Sequence, residues 1–323
     1  MKSSEEIREL YDTQLKPVLE SLEGQRVVLK RRMILIIVVF VSVFILFFIA
    51  DSDPDLNFLF FLIPVGLILF GFLIYKMIKP YKAYKDEFKE KVVREIINLI
   101  NPDWNYDPEG FISREEYHAS KLFTKGVARY KGDDLVDGII DKTDFRLSEL
   151  HSEYKTESTD SKGRKRTSYH TIFKGLFGHA EFNKEIAGET LVLPDTAERM
   201  LGSLGTKLQK MSGRGKLIKM ENVEFEKLFV VYGSDQIESR YVLTPTMMEA
   251  MMSIVEKYNK YVYFSFIGSR VYFAISFTKD LFEPRLFGSG IRFNDVEEMN
   301  EQFRIIQTII NELNLNTRIW TKE

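Results

Sequence analysis

The chain has 323 residues, with 45 Lys and Arg against 47 Asp and Glu and a net charge of −2. That near balance gives no global electrostatic pull on nucleic acid, and the lack of cysteine excludes disulfides, thiolate metal sites and cysteine nucleophiles. With 26 Phe and 15 Tyr, there is apolar material for one sizeable domain besides any membrane-proximal helices.

In chain order, Ser3–Val28 is predicted to be a helix, because Ile7, Tyr11, Leu15, Val18 and Leu22 fall on one face. Pro17 should kink it and Gly24 is a candidate break. Two apolar runs follow, Met33–Ala50 and Phe58–Tyr75, each of 18 residues without a charge. At about 1.5 Å per residue each run reaches roughly 27 Å, close to the hydrocarbon thickness of a bilayer. A transmembrane hairpin is therefore expected (residues 33–75), between an N-terminal amphipathic helix (1–32) and a membrane-proximal helix (76–100). Lys30-Arg31-Arg32 precede the first run, and Lys76, Lys79, Lys82 and Lys85 follow the second. The linker Asp51–Asn57 holds three acids and no base. Basic flanks mark the cytoplasmic side, so both termini are expected to be cytoplasmic in a two-span inner-membrane protein. Pro64 and Gly66 suggest a mild kink in the second span, or a backbone-lined site.

The stripe Met77, Tyr81, Tyr84, Phe88, Val92, Ile96 and Leu99 continues beyond the second run. Its face can meet that of the N-terminal helix as an antiparallel stalk, or both helices can lie on the headgroups. From 103 to 323 the pattern changes to an α+β domain with mainly antiparallel sheet and flanking helices. Ser113-x-x-Glu116 resembles a capping box, and Lys131-Gly132-Asp133-Asp134 has the composition of a turn. Thr143–Glu157 and Thr167–Asn183 are the expected arms of a long hairpin, with Thr190–Leu193 a separate strand. Asp195 to Met211 reads as a capped amphipathic helix. Lys216–Met220 and Leu228–Tyr232 read as strands, and Thr244-Pro245 opens a helix. Gly268-Ser269 separates Tyr261–Ile267 from Arg270–Phe277 as a two-residue hairpin would. Asn294-x-x-Glu297 starts a final helix with Val296, Met299, Phe303, Ile306, Ile310 and Leu313 on its face.

Four stretches carry a family likeness: Phe173–Phe177, Glu224–Gly233, Glu238–Pro245 and Leu315–Lys322. Together they resemble a bacterial family known as domain of unknown function 3137, some members of which are mislabelled as galanin. The resemblance covers roughly Tyr106 to Glu323 and implies a bacterial inner-membrane protein. It also implies a LemA-like membrane protein as a possible partner, and it supplies no catalytic residue.

Catalytic motifs are sparse. Gly213-Arg214-Gly215-Lys216 lacks the upstream glycine and following Ser or Thr of a phosphate loop, and no GxGxxG, GxSxG or HExxH occurs. No catalytic residue or cofactor is expected. Glu149, His151 and Glu153 alternate along one predicted strand with His170 on the facing arm, a donor set that could bind zinc or could be a solvated face. Lys162, Arg164, Lys165 and Arg166 crowd the hairpin tip, where they could meet anionic headgroups or simply be solvated. Met247, Met248, Met251 and Met252 make a helix face suited to core packing or to an adaptable partner groove. These readings favour a membrane-anchored protein-interaction scaffold or sensor component over an enzyme. Inner-leaflet lipid handling is the first alternative and a hydrolase with an unrecognised site the second. Membrane lipid and a second copy of the chain are possible partners; nucleic acid is not expected.

Overall fold

The computed structural model describes residues 4–52, 54–159, 163–195, 215–288, 292–313 and 315. The chain divides into two units: Met1–Ile100 with Phe282–Asn300, and Asn101–Leu281 with Glu301–Glu323.

The first unit is built on two long helices, α1 (Glu5–Ser52) and α2 (Pro54–Ile100), both long and apolar enough to cross a membrane. The N-terminal amphipathic helix and the first apolar run are thus one continuous element, and Gly24 does not break it. Pro17 has no N–H for the Thr13 carbonyl, and the helix widens into a π turn at Tyr11–Leu15 just before it. The linker after the first run winds into a 3-10 turn, Pro54–Phe61. The helices run antiparallel. Phe40 packs on Phe70 at 5.5 Å and Phe47 on Phe60 at 6.0 Å between ring centres. Gly66 lies so close to the Val43 side chain that an added Cβ would collide with it. The pairing continues past the apolar runs, where Gln25 Nε2 donates to Glu87 Oε2 at 2.8 Å. Leu22, Leu29, Met77, Tyr84, Phe88 and Val92 are buried there, whereas Phe44 and Ile68 in the apolar runs are exposed.

The segment Phe282–Asn300 is fastened to these helices. Arg26 is buried; its Nη1 donates to the carbonyls of Leu286 (2.8 Å) and Gly288 (3.3 Å) while Nε and Nη2 grip Glu23. Lys89, only 1% exposed, stands 3.6 Å from Glu283.

Among the described residues, the second unit is a seven-stranded antiparallel sheet with helices. Its strands are β1 (Asn105–Asp107), β2 (Arg129–Ile140), β3 (Thr143–Thr159), β4 (Lys165–Pro194), β5 (Lys216–Ile218), β6 (Phe229–Gly233) and β7 (Val262–Ser276). The order is β1-β2-β3-β4-β6-β5, with β7 also on β4. The helices are α3 (Arg114–Ala119), α4 (Val223–Leu228), α5 (Gln236–Val242) and α6 (Pro245–Tyr258), and α7 (Phe293–Glu312) ends in this unit. Ser113 and Glu116 close the expected capping box on α3, and Thr244 Oγ1 accepts from Met247 N–H to cap α6. One core packs Tyr117 of α3 on Phe177 and Phe123, with Leu150, Phe173, Leu191 and Ala274.

Three strand expectations are corrected. The segments 167–183 and 190–193 belong to one strand, β4, because register shifts between Glu181, Ile186 and Glu189 absorb the irregular stretch without ending the pairing with β7. Gly268 and Ser269 do not turn the chain. β7 runs straight through, and Gly268, at φ +57, sits opposite Ile186 in that same irregularity. Glycine supplies the left-handed backbone that a bulge needs as readily as one a turn needs. Lys131–Asp134 likewise lies inside β2, where the register shifts between Asp133 and Val136 and Asp134 takes φ +58. The predicted helix from Asp195 to Met211 falls almost entirely outside the described residues.

Candidate functional site

The β3–β4 hairpin outruns the sheet. β2 pairs with β3 only as far as Arg129↔Glu153, and β7 reaches β4 only from Gly175 onward. Beyond these points β3 and β4 pair with each other, through Tyr154↔His170, Lys155↔Tyr169 and on to Thr159↔Lys165. The result is a two-stranded arm, exposed from Lys155 to Thr159 and again from Gly163 to Thr167. Arg164, Lys165 and Arg166 lie on its outer end; Lys162 lies outside the described residues. At its base the Arg129 guanidinium lies 3.4 Å over the exposed Tyr169 ring, and Lys125 lies 4.1 Å over Tyr154.

The proposed zinc donors stand apart. His151 Nε2 bonds Thr171 Oγ1 at 3.2 Å, and His170 Nε2 bonds Thr156 Oγ1 at 3.0 Å while stacking on Tyr154. Glu153 faces Arg129 across 3.7 Å. A register shift between Ser152 and Glu153 breaks the simple alternation that the spacing suggested.

Glu149 joins a different group. It pairs directly with Asp133 across the strands, and the bulge in β2 brings Asp134 to the same place, so oxygens of the three carboxylates lie within 4.8 Å of one another. Tyr106 Oη donates to Asp134 Oδ1 at 2.6 Å, and the Leu281 N–H donates to Glu149 Oε2 at 3.0 Å. Burial pushes the Glu149 carboxyl up to about 8; the Leu281 N–H opposes this, and Asp133, Asp134 and Asp280 add to it. At neutral pH Glu149 keeps its proton, which relieves the repulsion. The three oxygen donors are of the kind that hold a hard divalent cation, and such an ion would compete with that proton. The doublet Asp133-Asp134 was visible in the sequence, but the register that sets it beside Glu149 was not.

A second network spans α3, β3, β4 and β7. Arg146 and Tyr272 flank His179 on the neighbouring strands. Glu116 Oε1 accepts from Arg146 Nη1 (2.7 Å), and His179 Nε2 lies 3.2 Å from the same oxygen. Arg270 Nη1 sits 2.9 Å from His179 Nδ1 and 3.0 Å from Asp144 Oδ2. Guanidinium only donates, so Nδ1 accepts and the imidazole proton resides on Nε2, donated to Glu116. Burial and Arg270 lower the His179 pKa, against a smaller upward pull from Glu116, so the ring is neutral. Burial opposes ionisation of Glu116, but bonds from Ser113, Arg146 and His179 prevail and hold it at about 2. With both ring nitrogens bonded and 3% of His179 exposed, this pair ties elements together and leaves no nitrogen for a substrate.

Met247, Met248 and Met251 are buried and Met252 is half-buried, so the stripe faces the interior and not an open groove.

Residues 171–315 match the family model DUF3137, described as a protein of unknown function. The resemblance read from Phe173–Phe177, Glu224–Gly233 and Glu238–Pro245 holds over that span. The DUF3137 segment holds β4 from Thr171, His179, Arg270 and α6, while Glu116, Asp133, Asp134 and Glu149 precede it. No curated protein and no solved structure matches the chain.

Proposed function

We propose that this is a membrane-anchored recognition module, held in a bacterial inner membrane with both termini cytoplasmic, whose β3–β4 arm engages anionic lipid headgroups. The observation that carries the reading is the arm itself: a ribbon with no other strand on either side among the described residues, ending in Arg164, Lys165 and Arg166. Each basic side chain near an anionic surface contributes about 1 kcal/mol, and attachment through two membrane-length helices raises the arm's effective concentration there. Tyr169, with Arg129 stacked on it, adds the amphipathic ring that favours headgroup depth.

The test uses the full chain in nanodiscs of zwitterionic lipid or of lipid containing phosphatidylglycerol. Amide exchange across 155–170 should slow on the anionic discs only, and the difference should vanish when Arg164, Lys165 and Arg166 are replaced by serine. Equal exchange on both discs would falsify the reading.

A second reading, a protein-interaction scaffold, draws on exposed apolar side chains between β5 and α5: Leu217, Val223, Ile237 and Tyr241, with Ile237 82% exposed. Exposed apolar surface of this kind suits a partner protein, with a LemA-like membrane protein or a second copy as candidates. Crosslinking in native membranes, followed by mass spectrometry, should place partner links on 217–241; links confined to other segments would exclude it.

A further inference from the structure

We infer that the second unit holds a binding site for a single-chain acyl carboxylate, independent of the arm. Where α6 ends and β7 begins, a cleft of ≈ 450 Å³ opens, lined by Leu228, Phe229, Val255, Tyr261, Val262 and Phe277. That volume lies within the roughly 300–1,000 Å³ of small-molecule sites. The lining also includes Lys227 and Lys260.

Two features select the ligand class. The first is the apolar surface left in contact with water. Leu228 is 39% and Tyr261 55% exposed, although their chain neighbours Phe229 and Val262 are buried. Covering such a wall favours a hydrocarbon body. The second is charge. Lys260 makes no ion pair among the described residues and lies 5.5 Å from the Phe277 ring centre, on the cleft's own lining. Lys227 pairs with Glu224 of its own helix through an exposed contact, which contributes little and yields readily to a competing anion. An apolar body with one anionic head satisfies both features. A neutral apolar compound would leave Lys260 without a counter-charge, and a small polar anion would leave the wall wet.

Asn259 shapes the entrance. It caps α6 in the left-handed conformation, φ 47, so the chain turns sharply and Lys260 and Tyr261 enter the lining consecutively. Ser276 and Thr278 also line the cleft, and their hydroxyls can donate to a carboxylate. Two membrane-length helices keep the chain where free acyl chains are released from lipid.

The test irradiates the full chain, in zwitterionic nanodiscs, with a palmitate carrying a diazirine on its chain. Crosslinks should map to 227–229, 255–262 and 276–278, compete with unlabelled palmitate and resist hexadecanol, which lacks the charge. Lys260→Gln, at an exposed position, should lower the yield about fivefold, as expected for losing one charge contact at a surface. Val255→Trp should lower it by filling the cleft, with thermal unfolding confirming that each variant is folded. Labelling confined to other segments, equal displacement by hexadecanol, or labelling by a diazirine phosphatidylglycerol but not by palmitate would overturn the assignment. Replacing Arg164, Lys165 and Arg166 should leave the crosslinking unchanged, which separates this site from the arm.

Discussion

At the residue scale, two buried ionisable groups make opposite predictions. The Glu149 carboxyl is raised in the folded state, to about 8 from an ordinary value near 4.5. The folded protein therefore keeps a proton that the unfolded chain releases, and the associated stability is present below pH 4.5 and lost as pH rises through about 8. Glu149→Gln imitates the protonated form. In chelator-treated protein it should change stability little near pH 5 and raise it at pH 8 by on the order of 2–4 kcal/mol, read by denaturant unfolding at both values. His179 is depressed instead. Its contribution is complete above the unfolded value near 6.5 and lost as pH falls through the lower folded value. Protonation would put a second positive charge against Arg270. His179→Gln keeps one donor and one acceptor without titrating, so the loss of stability between pH 7 and pH 5 should shrink in this variant.

At the element scale, the helix starts are local and the sheet is not. Ser113 and Glu116 are three residues apart and satisfy each other, so the start of α3 was legible in the sequence. Ser113→Ala should cost about 1 kcal/mol of stability, measurable by urea unfolding. The course of β7 through Gly268 was not legible, because Gly-Ser between apolar runs looks the same at a turn as opposite a bulge. The deciding fact is a partner strand about eighty residues earlier, where Ile186 faces Gly268. The carboxylate group was hidden for the same reason, since it depends on a register shift in β2 that has no signature beyond a Gly-Asp-Asp string. The Met247 stripe was legible as an amphipathic face, but spacing alone cannot say whether that face meets the protein's interior or a partner.

At the scale of the whole molecule, the charge-free runs of α1 and α2 announced themselves by length, whereas Gly66, read in the sequence as part of a kink or a backbone-lined site, marks their close approach at Val43. Gly66→Leu should push Val43 away and loosen the helix pair, lowering the yield of a disulfide engineered between positions 40 and 70 in membranes. The assignment of Phe282–Asn300 to the first unit was not legible. Nothing in Glu283, Leu286 or Gly288 signals that Lys89 and Arg26 receive them.

The fastening of Phe282–Asn300 bears on how far a stretch of matching sequence can be equated with a piece that folds. The matched span opens inside β4, after the strand that β4 needs beside it, and carries within it a strap whose anchors are α1 and α2. Excised alone, residues 171–315 would lose β3 at one edge and the grip of Arg26 and Lys89 on the strap. The matched stretch is therefore narrower than what must be synthesised together, since β3, Arg26 and Lys89 all lie in the first hundred and seventy residues.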